Sequence, residues 1–150
     1  MMKKHLIKSL RGICTVLLLI SAVVLPAAAA SVSFYGMTVE LPDGWCVKQG
    51  ELVVIYSDKE KNAAVIVDQV SEGSANSVAE NLASAVGVDK KNIRKDDSGA
   101  LELNFTHNGE DIDARVLQKD QGVLMIYSIG GCQQAYQIAR SLGRKKQPRP

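Results

Sequence analysis

The stretch LELNFTHNGEDIDARV, residues 101–116, consists of two alternating runs on either side of Asn108-Gly109. Asn-Gly readily adopts the two positive φ angles of a type I′ turn, so the dipeptide predicts a two-residue β-hairpin. That turn fixes the register of the two strands. On one face it predicts the apolar pairs Leu101–Val116, Leu103–Ala114 and Phe105–Ile112. On the other face it predicts the polar pairs Asn104–Asp113 and Glu102–Arg115.

Further strands are predicted on both sides of this hairpin. Alternating or continuous apolar residues indicate strands over residues 34–41, 45–49, 51–57, 63–70, 92–96 and 123–129. The last of these is the most apolar and is expected near the centre of the sheet. Trp45 follows a Pro-Asp-Gly turn, and we expect it to close a core rather than to serve as a ligand platform.

Two helices separate and follow these strands. Ser77 and Glu80 fit a capping box, which predicts a helix that begins at Ser77 after a loop over residues 71–76 and ends at Gly87. A second helix is predicted over residues 132–142, with Ala135, Ile138, Ala139 and Leu142 on its buried side. The order is four strands, a helix, four strands and a helix. The predicted class is α+β, with a mainly antiparallel sheet of two meanders flanked by two helices.

Residues 1–30 have the pattern of a cleavable secretory signal peptide. Four basic residues precede an apolar run over 13–25, and Pro26 and four alanines provide an A-x-A cleavage site before Ser31. The apolar run is shorter than the roughly 20 residues of a membrane-spanning helix, which argues against the alternative of an uncleaved anchor. Cys14 lies at the start of the run, so there is no lipobox. The sequence predicts a periplasmic or secreted protein with one domain over residues 31–143.

The charges divide the chain into an acidic body and a basic end. The full chain carries 18 basic and 16 acidic residues. Four basic residues lie in residues 1–30 and four in residues 144–150, which leaves residues 31–143 with 16 acidic residues against ten basic ones. An acidic body argues against nucleic-acid binding. Residues 144–150 are expected to form a disordered, solubilising tail, with weak contact to an anionic membrane surface as the alternative.

Two cysteines follow the signal peptide, Cys46 and Cys132. Export to an oxidising compartment favours disulfide formation, and two cysteines allow a single connectivity. We therefore predict a Cys46–Cys132 disulfide that ties the second strand to the first turn of the last helix. The alternative is a pair of buried thiols.

Few residues are candidates for chemistry. His107, the one histidine after residue 30, lies beside the Asn-Gly turn, where a histidine is more typical of a solvated turn than of a general base. Asp111 and Asp113 on one strand face, and Asp96 and Asp97 in a connector, are expected to be solvated surface residues. The sequence contains no metal-ligand spacing, phosphate loop or nucleophile elbow. It predicts no catalytic residue, no cofactor and no metal.

The stretch YGMTVELPDGW, residues 35–45, runs from a strand into an LP-x-GW turn. This motif resembles the PsbP/DcrB-like family of small exported or lumenal proteins, and the order of elements over residues 33–143 is similar to that family as well. The resemblance implies a PsbP/DcrB-like sandwich of an antiparallel sheet between helices. It also implies non-catalytic accessory work on larger complexes or on the cell envelope. The chain departs from the lipoprotein members because the lipobox is absent, and the family offers no functional residues to transfer.

Two functional hypotheses follow. The first is a non-enzymatic accessory or protein-interaction module of the bacterial cell envelope, with an envelope protein as its partner. The alternative is a small secreted inhibitor of a hydrolase, which would need a protruding loop with an exposed aromatic or basic anchor. The sequence shows no convincing loop of this kind, which favours the first hypothesis.

Overall fold

A computed structural model describes residues 30–60 and 62–143 of the chain. The predicted signal peptide, apart from Ala30, and the predicted tail over residues 144–150 lie outside the described residues. The described strands are β1 (Ala30–Phe34), β2 (Met37–Leu41), β3 (Trp45–Gln49), β4 (Val53–Ser57), β5 (Ala64–Val70), β6 (Arg94–Lys95), β7 (Leu101–His107), β8 (Glu110–Lys119) and β9 (Gly122–Ile129). The helices are α1 (Ala75–Val86) and α2 (Gln133–Ser141), and a 3₁₀ helix spans Lys90–Asn92.

The strands form two antiparallel sheets, so the predicted α+β class is confirmed. The larger sheet has seven strands in the order β3-β4-β5-β9-β8-β7-β6, and β1 pairs with β2 in a separate two-stranded sheet. The apolar strand β9 is the fourth of seven, at the centre of the sheet as predicted. Many neighbouring strands are joined by short hairpin turns. A turn of only a few residues can join antiparallel strands but not parallel ones, so these connections keep the sheet antiparallel.

The hairpin of β7 and β8 has the predicted register at every position. Leu103 lies opposite Ala114 and Glu102 lies opposite Arg115. The φ angle is 51° at Asn108 and 79° at Gly109, as a type I′ turn requires. Local turn chemistry and the apolar pattern therefore specify the same pairing.

The single strand predicted over residues 34–41 is wrong, because the chain reverses inside it. Tyr35 and Gly36 have φ angles of 47° and 70° and form a tight turn between β1 and β2. A positive φ is uncommon for tyrosine, so the residue type does not reveal this turn. The alternation of apolar and polar residues continues without interruption across this turn. In the sequence, the two short strands therefore have the pattern of one longer strand.

Two apolar cores lie on opposite faces of the seven-stranded sheet. The α1-side core packs α1 on the sheet through residues such as Leu82, Ile66, Met125 and Tyr127. The α2-side core packs α2 and the β1–β2 hairpin on the other face through residues such as Trp45, Ile55, Ile126 and Ile138. Trp45 is 2% exposed and its Nε1 donates a hydrogen bond to Gln134 Oε1 at 3.0 Å, so its predicted role in closing a core is confirmed.

Helix α1 begins at Ala75, two residues before the predicted start at Ser77. Ser74 is the N-cap: its hydroxyl accepts a hydrogen bond from the Ser77 amide at 3.1 Å, and the Ser74 amide donates to the Ser77 hydroxyl at 3.0 Å. This is a capping box made by two serines, without the glutamate of the usual pattern. The predicted C-terminal end is confirmed, since Gly87 adopts the left-handed conformation with φ 75°.

The predicted Cys46–Cys132 disulfide is not formed, because the two cysteines are not at bonding distance. Cys46 lies opposite Tyr56 in the β3–β4 pair, and Tyr56 packs on the α1-side core. Cys132 packs on the α2-side core. The sheet therefore lies between the two side chains, and they cannot come within disulfide distance unless the backbone moves.

Candidate functional site

A row of three polar residues crosses the α2-side face of the large sheet. Asn104 of β7 lies opposite Asp113 of β8, and Asp113 lies opposite Ser128 of β9. We call these three residues the polar row. Cross-strand neighbours have Cβ atoms about 4.5–5.5 Å apart, so the three side chains form one continuous strip. The strip interrupts a sheet whose neighbouring central positions are apolar.

The polar row forms the floor of an open cleft beside α2. Two adjoining cavities of about 710 and 230 Å³ share Asp113, Ser128 and Tyr136 as lining residues. Cys132 and Gln133 at the start of α2 line the smaller cavity. The loop after α1 and strand β6 line the larger one, with residues Gly87, Val88, Asp89, Asn92 and Arg94. The larger cavity has the size of a small-molecule or side-chain binding site.

The polar groups at the centre of the cleft lack protein partners. Ser128 is 5% exposed, and within the described part of the chain its hydroxyl makes no hydrogen bond. The Asp113 carboxylate likewise forms no ion pair or hydrogen bond with the described residues. Burial, and then the charge of the nearby Asp111, raise the pKa of Asp113 above its usual value of 3.8. Both residues line the two cavities, so their polar groups are accessible to a ligand.

The base of the cleft is a network of buried charges. Arg115 is 2% exposed. Its Nη2 donates to Asp96 Oδ2 at 2.8 Å, its Nη1 donates to the carbonyl oxygen of Ala139 at 3.0 Å, and its Nε lies 3.3 Å from Glu102 Oε1. Arg140 Nη2 approaches the same glutamate oxygen at 3.2 Å. The network joins the sheet to α2 and neutralises its own charges.

Asp96 is part of this network and not the solvated connector residue that the sequence predicted. Its Oδ1 accepts hydrogen bonds from the Ser98 amide at 2.8 Å, the Ser98 hydroxyl at 2.6 Å and the Ala100 amide at 3.0 Å. Burial opposes ionisation, but the hydrogen bonds from Ser98, Arg115 and Ala100 outweigh it and hold the pKa of Asp96 well below 3.8.

Small residues on α2 allow the helix to lie close to the sheet and leave the polar row uncovered. Ala135 and Ala139 are buried beneath the helix. Tyr136 lies one turn from Arg140, whose guanidinium carbon stands 5.2 Å from the centre of the tyrosine ring and whose Nη1 donates to the tyrosine hydroxyl. This cation–π pair fixes the wall of the cleft that α2 provides.

The sequence-based candidates fall in different places. His107 pairs with Glu110 at the end of the hairpin and is not among the residues that line the cleft. Asp111 is exposed and its Oδ1 accepts a hydrogen bond from the Thr106 hydroxyl at 3.1 Å. Asp113, predicted to be plain surface, lies at the centre of the cleft, so the site was missed. A lone serine in the apolar run VLMIYSI was the available sign of it.

The chemistry of the cleft is that of recognition through hydrogen bonds and charge. Carboxylate, amide and hydroxyl oxygens face the cavity, and among the described residues no base is hydrogen-bonded to the Ser128 hydroxyl. Within residues 30–60 and 62–143, no cluster of three or more candidate ligands could hold a metal ion. The helices of the same part of the chain are too short or too polar to cross a membrane.

Comparison of the chain with protein-family models gives no match, and comparison with curated proteins gives no match either. The resemblance to the PsbP/DcrB-like family therefore stays a prediction, while the α+β class with two antiparallel sheets and two helices is established.

Proposed function

We propose that the protein is a non-enzymatic binding module of the bacterial cell envelope and that the polar cleft is its binding site for a protein partner. The observation that carries this proposal is the polar row, in which the half-buried Asp113 carboxylate and the Ser128 hydroxyl line the cleft and make no hydrogen bond or ion pair with the described residues. A few polar groups that converge in a cleft and are not used by the fold are typical of a binding site.

The rigid surroundings of the cleft support the same proposal. The floor belongs to three adjacent strands that run from the central strand β9 through β8 to β7, and the ion network beneath it joins the floor to α2. A site built on strands and locked by buried contacts keeps its shape before the ligand arrives, and this preorganisation lowers the cost of binding. The export of the protein rests on the sequence pattern of residues 1–30.

Site-specific photo-crosslinking in cells tests this proposal. A photoreactive phenylalanine analogue replaces Gln133, which is exposed and lines the smaller cavity. We expect a discrete crosslinked adduct with one protein, because a bound partner covers this position. Asn104→Trp, which fills the cleft from its floor, should abolish the adduct while leaving the thermal unfolding midpoint unchanged within a few degrees.

The matched control carries the same analogue at Asp120, an exposed residue in the turn between β8 and β9. No adduct is expected there because the turn lies at the other end of β8 from Asp113. The same adduct from both positions, or none from Gln133, would contradict the proposal.

The hydrolase inhibitor remains the second candidate because of one surface feature. Among the described residues, Tyr35 is the large hydrophobic residue that is exposed, with 37% of its surface accessible to solvent. It lies at the turn between β1 and β2. An aromatic side chain on a tight turn is a suitable anchor for insertion into a partner's pocket. If the inhibitor hypothesis is correct, Tyr35→Ala should abolish partner binding, whereas Asn104→Trp should leave it intact.

A further inference from the structure

The cleft contains one negative charge that no other group neutralises. Among the described residues, Asp113 has no ion pair, whereas Glu102 at the base is contacted by both Arg115 and Arg140. Asp89 on the far wall pairs with Lys91, with Nζ 3.2 Å from Oδ2. Asp111, two positions before Asp113 on the same strand face, adds a second negative charge close by. The polar row therefore presents a carboxylate that no described cation pairs with, and a cationic group of a ligand would be attracted to it.

The positive charge of Arg94 is set apart from this region. Arg94 lies opposite Glu102, and Glu102 lies opposite Arg115, so these three residues form the next row along the strands. Successive residues on one strand face are about 7 Å apart. A ligand that meets Asp113 with a positive group can thus place an acceptor, such as a backbone carbonyl, toward Arg94.

The three side chains of the polar row offer acceptors at several points along a line. The Asp113 carboxylate has two oxygens, Asn104 contributes an amide oxygen and the buried Ser128 contributes a hydroxyl oxygen. A guanidinium has five N–H donors in a flat fork that pairs with a carboxylate through two bonds and reaches further acceptors at its edges. An ammonium is a single point charge and cannot span the row in this way.

We propose that the polar cleft binds an arginine side chain of the partner protein, with its guanidinium held by Asp113, Asn104 and Ser128. This inference rests on the proposed function of the cleft as a binding site. The carboxylate of Asp113 is already partly removed from water in the folded protein, so pairing with a guanidinium restores interactions that burial has taken away.

A peptide titration tests the inference on the full processed chain. The probes are the capped tripeptides Gly-Arg-Gly, Gly-citrulline-Gly and Gly-Lys-Gly, of which citrulline has the shape of arginine without the charge. Binding is followed by the amide chemical shifts of Asp113, Ser128 and Tyr136. We expect the arginine peptide to bind in the millimolar range, and the lysine and citrulline peptides to bind at least fivefold more weakly.

Two variants locate the contact. Asp113→Asn keeps the size of the side chain and removes the charge, and it should weaken the arginine peptide at least tenfold. Asp120→Asn removes an exposed aspartate in the turn between β8 and β9 and should leave binding unchanged. Equal binding of arginine and citrulline, equal binding of arginine and lysine, or an unchanged affinity in Asp113→Asn would each overturn the inference.

The crosslinking experiment separates failure of this inference from failure of the proposed function. If no peptide binds but the analogue at Gln133 still captures a partner, then the cleft is a binding site that does not recognise arginine. If neither is observed, the cleft is not the binding site and both proposals are wrong.

Discussion

Arg115 and Asp96 form an ion pair that is almost entirely withdrawn from solvent. The two atoms, Nη2 and Oδ2, are 2.8 Å apart, and the two side chains are 3% and 7% exposed. The pair joins the middle of β8 to the segment before β7, and Arg115 also donates to the backbone of α2 at Ala139. One guanidinium therefore holds three parts of the fold together beneath the cleft.

Removing the carboxylate of Asp96 should destabilise the protein strongly. Asp96→Ala leaves the Arg115 guanidinium buried without its closest anion, and breaking a buried pair in this way costs about 3–5 kcal/mol. We expect a decrease of about 3 kcal/mol in the free energy of unfolding, measured by urea denaturation at pH 7. Asp97→Ala, at the exposed neighbouring position, should change it by less than about 0.5 kcal/mol.

The pH dependence gives this first prediction an independent check. The pKa of Asp96 is lower in the folded state than its ordinary value of 3.8, so its stabilising contribution is complete above that value and is lost as the pH falls below it. The stability difference between the wild type and Asp96→Asn should be constant from pH 7 to pH 5 and should shrink at lower pH. A constant difference down to pH 2 would exclude Asp96 as the source.

The parts of the fold that the sequence predicted are those with local causes. Asn108-Gly109 determines its own turn and, through it, the register of β7 and β8. Gly87 ends α1 for a similarly local reason. The reversal at Tyr35 was missed because tyrosine carries no preference for a positive φ, so the turn is imposed by the packing of β1 and β2 on the core.

The cleft depends on contacts between distant parts of the chain and was therefore not predicted. The register of the hairpin already placed Asn104 opposite Asp113, but the burial of Arg115 depends on α2, which lies over the same face. The pairing of Asp113 with Ser128 depends on the turn between β8 and β9. The disulfide prediction was wrong for a different reason. It rested on the expected export of the chain, whereas the alternation of β3 places Cys46 on the face of the sheet opposite to Trp45.

The two glycines before α2 should respond differently to substitution by alanine. A Cβ on Gly130 would lie 2.4 Å from the carbonyl oxygen of Asn62, whereas a Cβ on Gly131 would meet nothing within 4 Å. Both residues have positive φ, so Gly131→Ala should cost about 1–2 kcal/mol for the backbone conformation alone. In Gly130→Ala the backbone at Asn62 must also move, so this variant should lose at least about 3 kcal/mol of unfolding free energy in chemical denaturation. Equal losses of stability in the two variants would show that the backbone near Asn62 can move at little energetic cost.

Cys46 and Cys132 should not form a disulfide. Cys46 and Cys132 belong to opposite faces of the sheet, so alkylation of the denatured protein without reductant should modify both, as peptide mapping by mass spectrometry would show. Adding a reductant should leave the free energy of unfolding unchanged, whereas loss of a disulfide that closed so long a loop would cost about 4 kcal/mol. A Cys46–Cys132 peptide that disappears on reduction would contradict the fold.

Processing of the chain should occur between Ala30 and Ser31, as the A-x-A pattern predicts. The intact mass of the exported protein should correspond to a chain that begins at Ser31. Cleavage there retains Ser31–Phe34 of β1, and it places the new ammonium group opposite Glu40, with which Ser31 pairs. Glu40→Gln should then lower the free energy of unfolding of the processed protein by up to about 0.5 kcal/mol. A retained amino-terminal segment, seen by mass, would refute the cleavage.

Replacing the carboxylate of Asp113 should stabilise the protein at neutral pH. Burial and the neighbouring Asp111 raise the pKa of Asp113 in the folded state, so the folded protein holds this proton more tightly than the unfolded chain does. The associated stability is present below the ordinary value of 3.8 and is lost as the pH rises through the folded-state pKa. The asparagine side chain in Asp113→Asn is uncharged at every pH, so this variant does not lose stability as the pH rises.

The measurement compares urea denaturation of the wild type, Asp113→Asn and the exposed control Asp120→Asn between pH 3 and pH 7. We expect Asp113→Asn to be more stable than the wild type at pH 7, the difference to vanish toward pH 3, and the control to show neither effect. A loss of stability at pH 7 would mean that the carboxylate makes favourable contacts within the fold and is not free for a ligand. A gain would mark Asp113 as a charge that folding tolerates without benefiting from it, as expected of a residue kept for binding.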